Sequence, residues 1–170
     1  MEFVNKVAES GIITLDLEQF LPQQEIVAFD LKDYLFMGLI LKEKDFREQL
    51  KNLDTTAYTD KIVAVHCSAD AIIPQWAYML VTTRLHGIAA QVKHGTAEQV
   101  STQLLSNAIA TLDVAPYTDA RIVVKGCGDK SLPDAAYLAI TQALLPVAKS
   151  IMYGEPCSTV PVYKKKATTV

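Results

Sequence analysis

The sequence predicts an α/β fold of three layers. Helices cover a mostly parallel sheet made of two repeated βαβ units, at about 53–95 and 112–154, with an N-terminal extension, all in one domain spanning 1–170. Three observations predict it. The chain matches itself when shifted by 59 residues. Short β-branched runs alternate with helical stretches of roughly 10–15 residues, the pattern of parallel βαβ units. Prolines stand at equivalent places before two of the helices, Pro74 and Pro133, where a missing N–H costs nothing.

The self-match sets 53–85 against 112–144. It pairs Leu53/Leu112, Asp54/Asp113, Tyr58/Tyr117, Thr59/Thr118, Asp60/Asp119, Val65/Val124, Asp70/Asp129, Pro74/Pro133, Ala77/Ala136, Tyr78/Tyr137, Thr82/Thr141 and Leu85/Leu144. These are 12 identities over 33 ungapped positions, where residue frequencies would give roughly two by chance. Carried further, the same shift pairs Gly95 with Gly154 and places a strand at 150–153. Helical periodicity alone would have run the preceding helix through to Tyr153.

The elements follow in order. Residues 11–17 and 26–29 read as strands. An apolar run at 34–41 precedes a helix at 43–53, with Phe46, Leu50 and Leu53 at helical spacing. The β-branched run 61–66 is a buried strand that Cys67 ends, and 68–73 is a loop. Residues 74–85 form a helix closed by Gly87, and 89–93 a further strand ending at His94 and Gly95. At 96–112, Val100, Leu104, Leu105, Ala108 and Leu112 share one helical face. Residues 121–125 repeat the strand, with Gly126-Cys127-Gly128 as its exit, and Asp134 opens the next helix with a charge that suits its positive end. The alternating 158–163 is a last strand, at an edge because of Pro161. Each crossover between parallel strands is expected to be right-handed.

Half of the 170 residues are hydrophobic and 21% are charged, with a net charge of −3. That balance gives no electrostatic reason to expect nucleic acid. The basic run Lys164-Lys165-Lys166 reads as a solvated tail. No apolar stretch reaches the ~18–20 residues of a spanning helix, and 1–10 lacks the apolar core of a signal peptide. The expectation is a cytoplasmic protein with no membrane partner and three reduced cysteines.

All three cysteines fall at predicted strand exits. Cys67 and Cys127 end equivalent strands, one position out of register, and Cys157 follows the strand at 150–153. Ligands of parallel α/β sheets bind outside the carboxyl ends of the strands, so one shared sheet edge would gather the three thiols. Three thiolates suit zinc or an iron–sulphur cluster, and a closed zinc site wants a fourth ligand. Asp70, His66 and His94 are the candidates. Asp129 is the equivalent of Asp70, and His66, as a last strand residue, is expected to point away from Cys67. His86, at a helix end, reads as a partner of the helix dipole.

A second reading makes Cys67 a nucleophile. Strand, cysteine, six-residue loop and helix resemble the layout of rhodanese-like sulfurtransferases, whose loop N–H groups lower the thiol pKa. The loop Ser68-Ala69-Asp70-Ala71-Ile72-Ile73 lacks that family's glycine and arginine, and Asp70 would oppose a thiolate. A third reading is a non-catalytic homodimeric interaction protein whose cysteines only pack. No phosphate-binding glycine loop or G-x-S-x-G motif is present.

Three stretches carry a wider resemblance. They are Cys67-Ser68-Ala69-Asp70-Ala71-Ile72 running into Pro74-Gln75-Trp76-Ala77-Tyr78-Met79-Leu80; Val124-Lys125-Gly126-Cys127-Gly128; and Ser150-Ile151-Met152-Tyr153-Gly154-Glu155-Pro156-Cys157-Ser158-Thr159-Val160-Pro161. With 39–47 they resemble the bacterial family called domain of unknown function 2480, over nearly the whole chain. The resemblance implies no particular activity. It implies an association with iron–sulphur assembly genes, and hence iron–sulphur assembly proteins as partners.

Overall fold

The computed structural model describes residues 11–126, 128–155 and 157–167. It is an α/β structure whose strands are mostly parallel. They divide between two hydrogen-bonded sheets where the sequence suggested one. A three-stranded sheet has the order β2-β3-β4, and a four-stranded sheet the order β1-β5-β6-β7. The chain correspondingly forms two compact units, one of Pro22–Ser101 and one of Met1–Leu21 with Thr102–Val170.

The unit of Pro22–Ser101 holds β2 (Ile26–Asp30), α1 (Glu43–Lys51), β3 (Ile62–His66), α2 (Gln75–Leu85), β4 (Gln91–His94) and the first turn of α3 (Ala97–Ala110). β3 pairs in parallel with β2 on one side and β4 on the other. Ile62, Val63, Ala64 and Val65 are all buried, as expected of a central parallel strand covered on both faces. Val63 and Val65 pack with Phe29, with Phe46 and Leu50 of α1, and with Ala77, Val81 and Leu85 of α2. The ring of Tyr34 stacks on Phe29, at 5.1 Å between centroids, and its edge meets Phe46. Burial pushes the Tyr34 hydroxyl pKa up to about 12.

The apolar run at 34–41 is a tight turn in which Phe36 bridges to Ile40. Its side chains at Phe36, Met37, Leu39 and Ile40 are exposed.

The other unit holds β1 (Ile12–Leu15), the rest of α3, β5 (Arg121–Lys125), α4 (Asp134–Leu144), β6 (Ser150–Glu155) and β7 (Ser158–Lys164). β5 pairs in parallel with β1 and β6, and β7 adds antiparallel to β6. Leu15, Ile122, Val124 and Ile151 pack with Leu105 and Ile109 of α3 and with Ala136, Ile140 and Leu144 of α4. No described helix is long and apolar enough to cross a membrane.

Local geometry recurs between the units at the 59-residue spacing. Ile62 stands opposite Gln91, and Arg121 opposite Ser150. Asp60 and Asp119 both take positive φ, at 57° and 52°. Both donate their N–H to the loop before the next strand, to Ile88 O and Val147 O. The strand expected at 150–153 is β6. Its length leaves Cys157 at the turn of the β6–β7 hairpin.

Ile140 is fully buried in α4. An Ile140→Ala variant should lose about 2–5 kcal/mol of unfolding free energy by deleting packed methyl groups and leaving a cavity. Leu138→Ala, on the same helix but at a position 67% exposed, should change it by less than about 0.5 kcal/mol. Urea unfolding of the two variants checks both.

Candidate functional site at the exit of the third strand

β3 ends at His66, and the next residue is Cys67. Both residues line an open cleft of about 390 Å³ at the carboxyl end of the sheet. Ala69, Ala71 and Ile73 of the following loop, Tyr78 of α2, His94 and Gly95 at the end of β4, and Thr96 and Gln99 of α3 complete it. This is where a parallel α/β sheet places its ligands.

The loop beyond Cys67 is pinned by an aspartate from the neighbouring strand. Asp30 ends β2 and sits opposite His66 in the ladder. Its Oδ1 accepts N–H bonds from Lys32 and Ser68, both at 3.0 Å, and its Oδ2 accepts the Ser68 hydroxyl at 2.5 Å. The same Oδ2 lies 3.7 Å from His66 Nε2. Burial pushes the Asp30 pKa up. The Ser68 hydroxyl, the two N–H groups and the His66 ring outweigh it, so the carboxyl sits below its usual value. One carboxylate thus holds both chain neighbours of Cys67. His66 Nδ1 is buried and has no hydrogen-bond partner.

Cys67 is half-buried, and its thiol donates to Ala69 O at 3.6 Å. Burial, and to a lesser extent Cys67, raise the pKa of Tyr78. The Tyr78 ring meets His94 edge-on at 5.3 Å. The opposite wall is set by a capping box at the start of α3. Thr96 Oγ1 accepts the Gln99 N–H, and Gln99 Oε1 accepts the Thr96 N–H. Gly95 enters that turn at φ 124°, and a Cβ there would press within 3.0 Å of Gln99 Oε1.

The equivalent strand exit in the other unit carries the same frame with different chemistry. Asp16 directly follows β1 and accepts the Glu18 N–H at 3.0 Å. It pairs with Lys125 Nζ at 2.8 Å, where the first unit has His66. Glu18 Oε1 accepts the Lys130 N–H at 2.9 Å, and a Cβ on Gly128 would collide with that carboxylate. Tyr153 takes the place of His94, meets Tyr137 edge-on and donates its hydroxyl to Gly126 O at 3.1 Å. Gly126 stands where the first unit has Cys67, and a Cβ on it would lie 2.8 Å from the Tyr153 ring.

Three of the sequence-predicted ligands come together. His66, Cys67 and His94 share one cleft. Asp70 is exposed in the loop and does not line it. Cys157 is exposed at its hairpin turn, in the other unit. Cys127 lies outside the described residues. β3 belongs to one hydrogen-bonded sheet, and β5 and β6 to the other. Among the described residues no three His, Cys, Asp or Glu side chains converge closely enough to hold a metal ion.

Asp30, Ser68, Thr96 and Gln99 are site residues that the sequence did not single out. A signal was available: Leu15-Asp16-Leu17 followed by Phe20, and Phe29-Asp30-Leu31 followed by Tyr34, are the same pattern 14 residues apart.

The sequence profile of the family described as "Protein of unknown function (DUF2480)" matches residues 1–165. The chain belongs to the DUF2480 family. No curated protein and no solved structure matches it.

The Asp16 carboxyl is lowered by the Lys125 hydrogen bond first and by the Glu18 N–H second. A carboxyl whose folded pKa is depressed stabilises the fold above its unfolded value and loses that contribution as pH falls through the folded one. An Asp16→Asn variant should be less stable than wild type at neutral pH. The gap should close as pH falls below 3.8, the unperturbed value. Thermal unfolding across that range reads the difference.

Proposed function

We propose that this chain is a thiol protein that handles a small polar molecule at Cys67, in the cleft at the carboxyl edge of β3 and β4. The observation that carries the reading is one cleft lined by Cys67, His66 and His94 together. A cleft of some hundreds of Å³ with a few convergent polar groups is the usual form of a small-molecule site. Cys67 is half-buried there and not sealed in a core, so a small electrophile can reach it. The reading is sulfurtransferase-like in layout. It also accommodates the sulfur or iron–sulphur handling that the family association suggests, with a reduced thiol in the cytoplasm.

The zinc or iron–sulphur centre of Cys67, Cys127 and Cys157 is the competing proposal, and one experiment separates the two. In a Cys127→Ser/Cys157→Ser background, iodoacetamide should label folded protein once, at Cys67, as read by intact mass and peptide mapping. Protein purified anaerobically should hold far less than one metal per chain. Labelling of Cys67 only after denaturation contradicts the thiol reading. About one equivalent of metal, lost when any single cysteine becomes serine, would establish the metal centre in its place.

A further inference from the structure

The tight turn at 36–40 exposes four large apolar side chains in five residues, Phe36, Met37, Leu39 and Ile40, with Gly38 among them. Scattered apolar residues are ordinary on a surface, but a contiguous group of this kind marks a contact. The turn is built to hold them out. Met37 and Gly38 both take positive φ, at 53° and 72°, and the Leu39 N–H closes the turn on Phe36 O at 3.1 Å. Positive φ is costly for a residue with a Cβ, and Met37 is also 79% exposed. Its place in a single copy gives no reason for a methionine there. The charge on the tip is Lys42, whose Nζ lies 3.2 Å over the Phe36 ring. Glu43 beside it is paired with Arg47.

The other unit carries a complementary shape. A groove of about 690 Å³ lies between α4 and the strands β6 and β7, lined by Tyr137, Thr141, Met152, Tyr153 and Val162 among others. Asp134 is the charged residue of its lining. β7 is the edge of its sheet, and Pro161 hinders the addition of a further strand there, so the groove and not the edge is the surface open to a partner. We propose that the 36–40 tip of one copy of this chain seats in the α4–β7 groove of a second copy, with Lys42 brought to Asp134. The groove has the volume of a drug-sized ligand, which suits a few apolar side chains carried on one turn. A turn already closed by its own hydrogen bond loses little freedom on docking. Four side chains are few beside a standard interface, so the contact is weak, forms as concentration rises, and leaves the dilute chain monomeric. None of these residues lines the Cys67 cleft, and the inference is independent of the thiol reading.

Sedimentation velocity of the full chain tests this by complementation, under reducing conditions because Cys157 is exposed. Met37→Asn removes the apolar anchor, and asparagine accepts positive φ readily. Val162→Lys puts a second cation where Lys42 would arrive, at an exposed position of an edge strand, where charge is tolerated. Each variant alone should associate at least about tenfold more weakly than wild type, the scale of one anchor side chain lost. Mixed in equal amounts they should form a 1:1 pair, because the Met37→Asn chain keeps an intact groove and the Val162→Lys chain an intact tip. In dilute solution Met37→Asn should melt no lower than wild type, which a purely structural role for Met37 would not allow. Leu39→Asn and Thr141→Lys supply the same test if either variant does not fold.

Wild type that stays monomeric up to about 1 mM overturns the proposal. Loss of association in only one of the two variants does so as well, since a tip-to-tip or groove-to-groove contact uses one feature alone. A mixture that sediments as two monomers, under conditions that associate wild type, also overturns it. Binding of wild type to phosphatidylcholine–phosphatidylserine vesicles, abolished by Met37→Asn and without self-association, would assign the tip to a lipid surface instead.

Discussion

A carboxylate at the end of an outer strand, reaching across to the exit of its neighbour, is the interaction on which each unit's carboxyl edge depends. Backbone groups beyond the last ladder bond have no strand to pair with, and leaving them unpaired is costly. Asp30 meets that need by accepting the Lys32 and Ser68 N–H groups, so one side chain turns its own chain into a 3₁₀ turn and holds the adjacent loop. Asp16 turns its chain in the same way at Glu18 and ties the adjacent strand through Lys125. What stands next to the pinned position then sets the chemistry of each exit.

The two exits make different use of that frame. With Gly126 at the exit and Tyr153 on the next strand, a tyrosine ring lies against the backbone and its hydroxyl bonds Gly126 O. With Cys67 and His94 at the same places, the ring edge is shorter and a cleft of about 390 Å³ remains. Three differences in side chain, Gly126 for Cys67, Tyr153 for His94 and Lys125 for His66, thus give the two exits different chemistry.

Much of the architecture was legible in the sequence because it rests on short-range rules. Proline before α2 and α4, β-branched runs at β3 and β5, and glycine after β4 each act within a few residues. The 59-residue shift carried this further and located β6, which helical periodicity alone would have lost. The division into two sheets was not legible. It depends on which strand each N-terminal strand joins, and the β1–β5 pairing spans more than a hundred residues. Nothing in 12–15 or 26–30 states its partner. Equivalent positions in two repeats are equivalent within each repeat, and Cys67 and Cys157 accordingly belong to different units. Within the cleft, Cys67, His66 and His94 could be found from strand ends. Asp30 is marked only by the pattern it shares with Asp16, and its place beside Cys67 depends on a strand pairing that the sequence does not state. Ser68 could not be found, because a serine in a loop is ordinary until its acceptor is known.

Asp30 pins the backbone beside Cys67, and amide hydrogen exchange tests this most directly, read at Ser68 and Lys32 in wild type and in Asp30→Ala. Both amides donate to Asp30 Oδ1. They should be protected in wild type and lose that protection together in the variant, while the buried β3 amides from Val63 to Val65 keep theirs. Ser68 exchanging freely in wild type, or keeping its protection when the carboxylate is gone, would contradict the account.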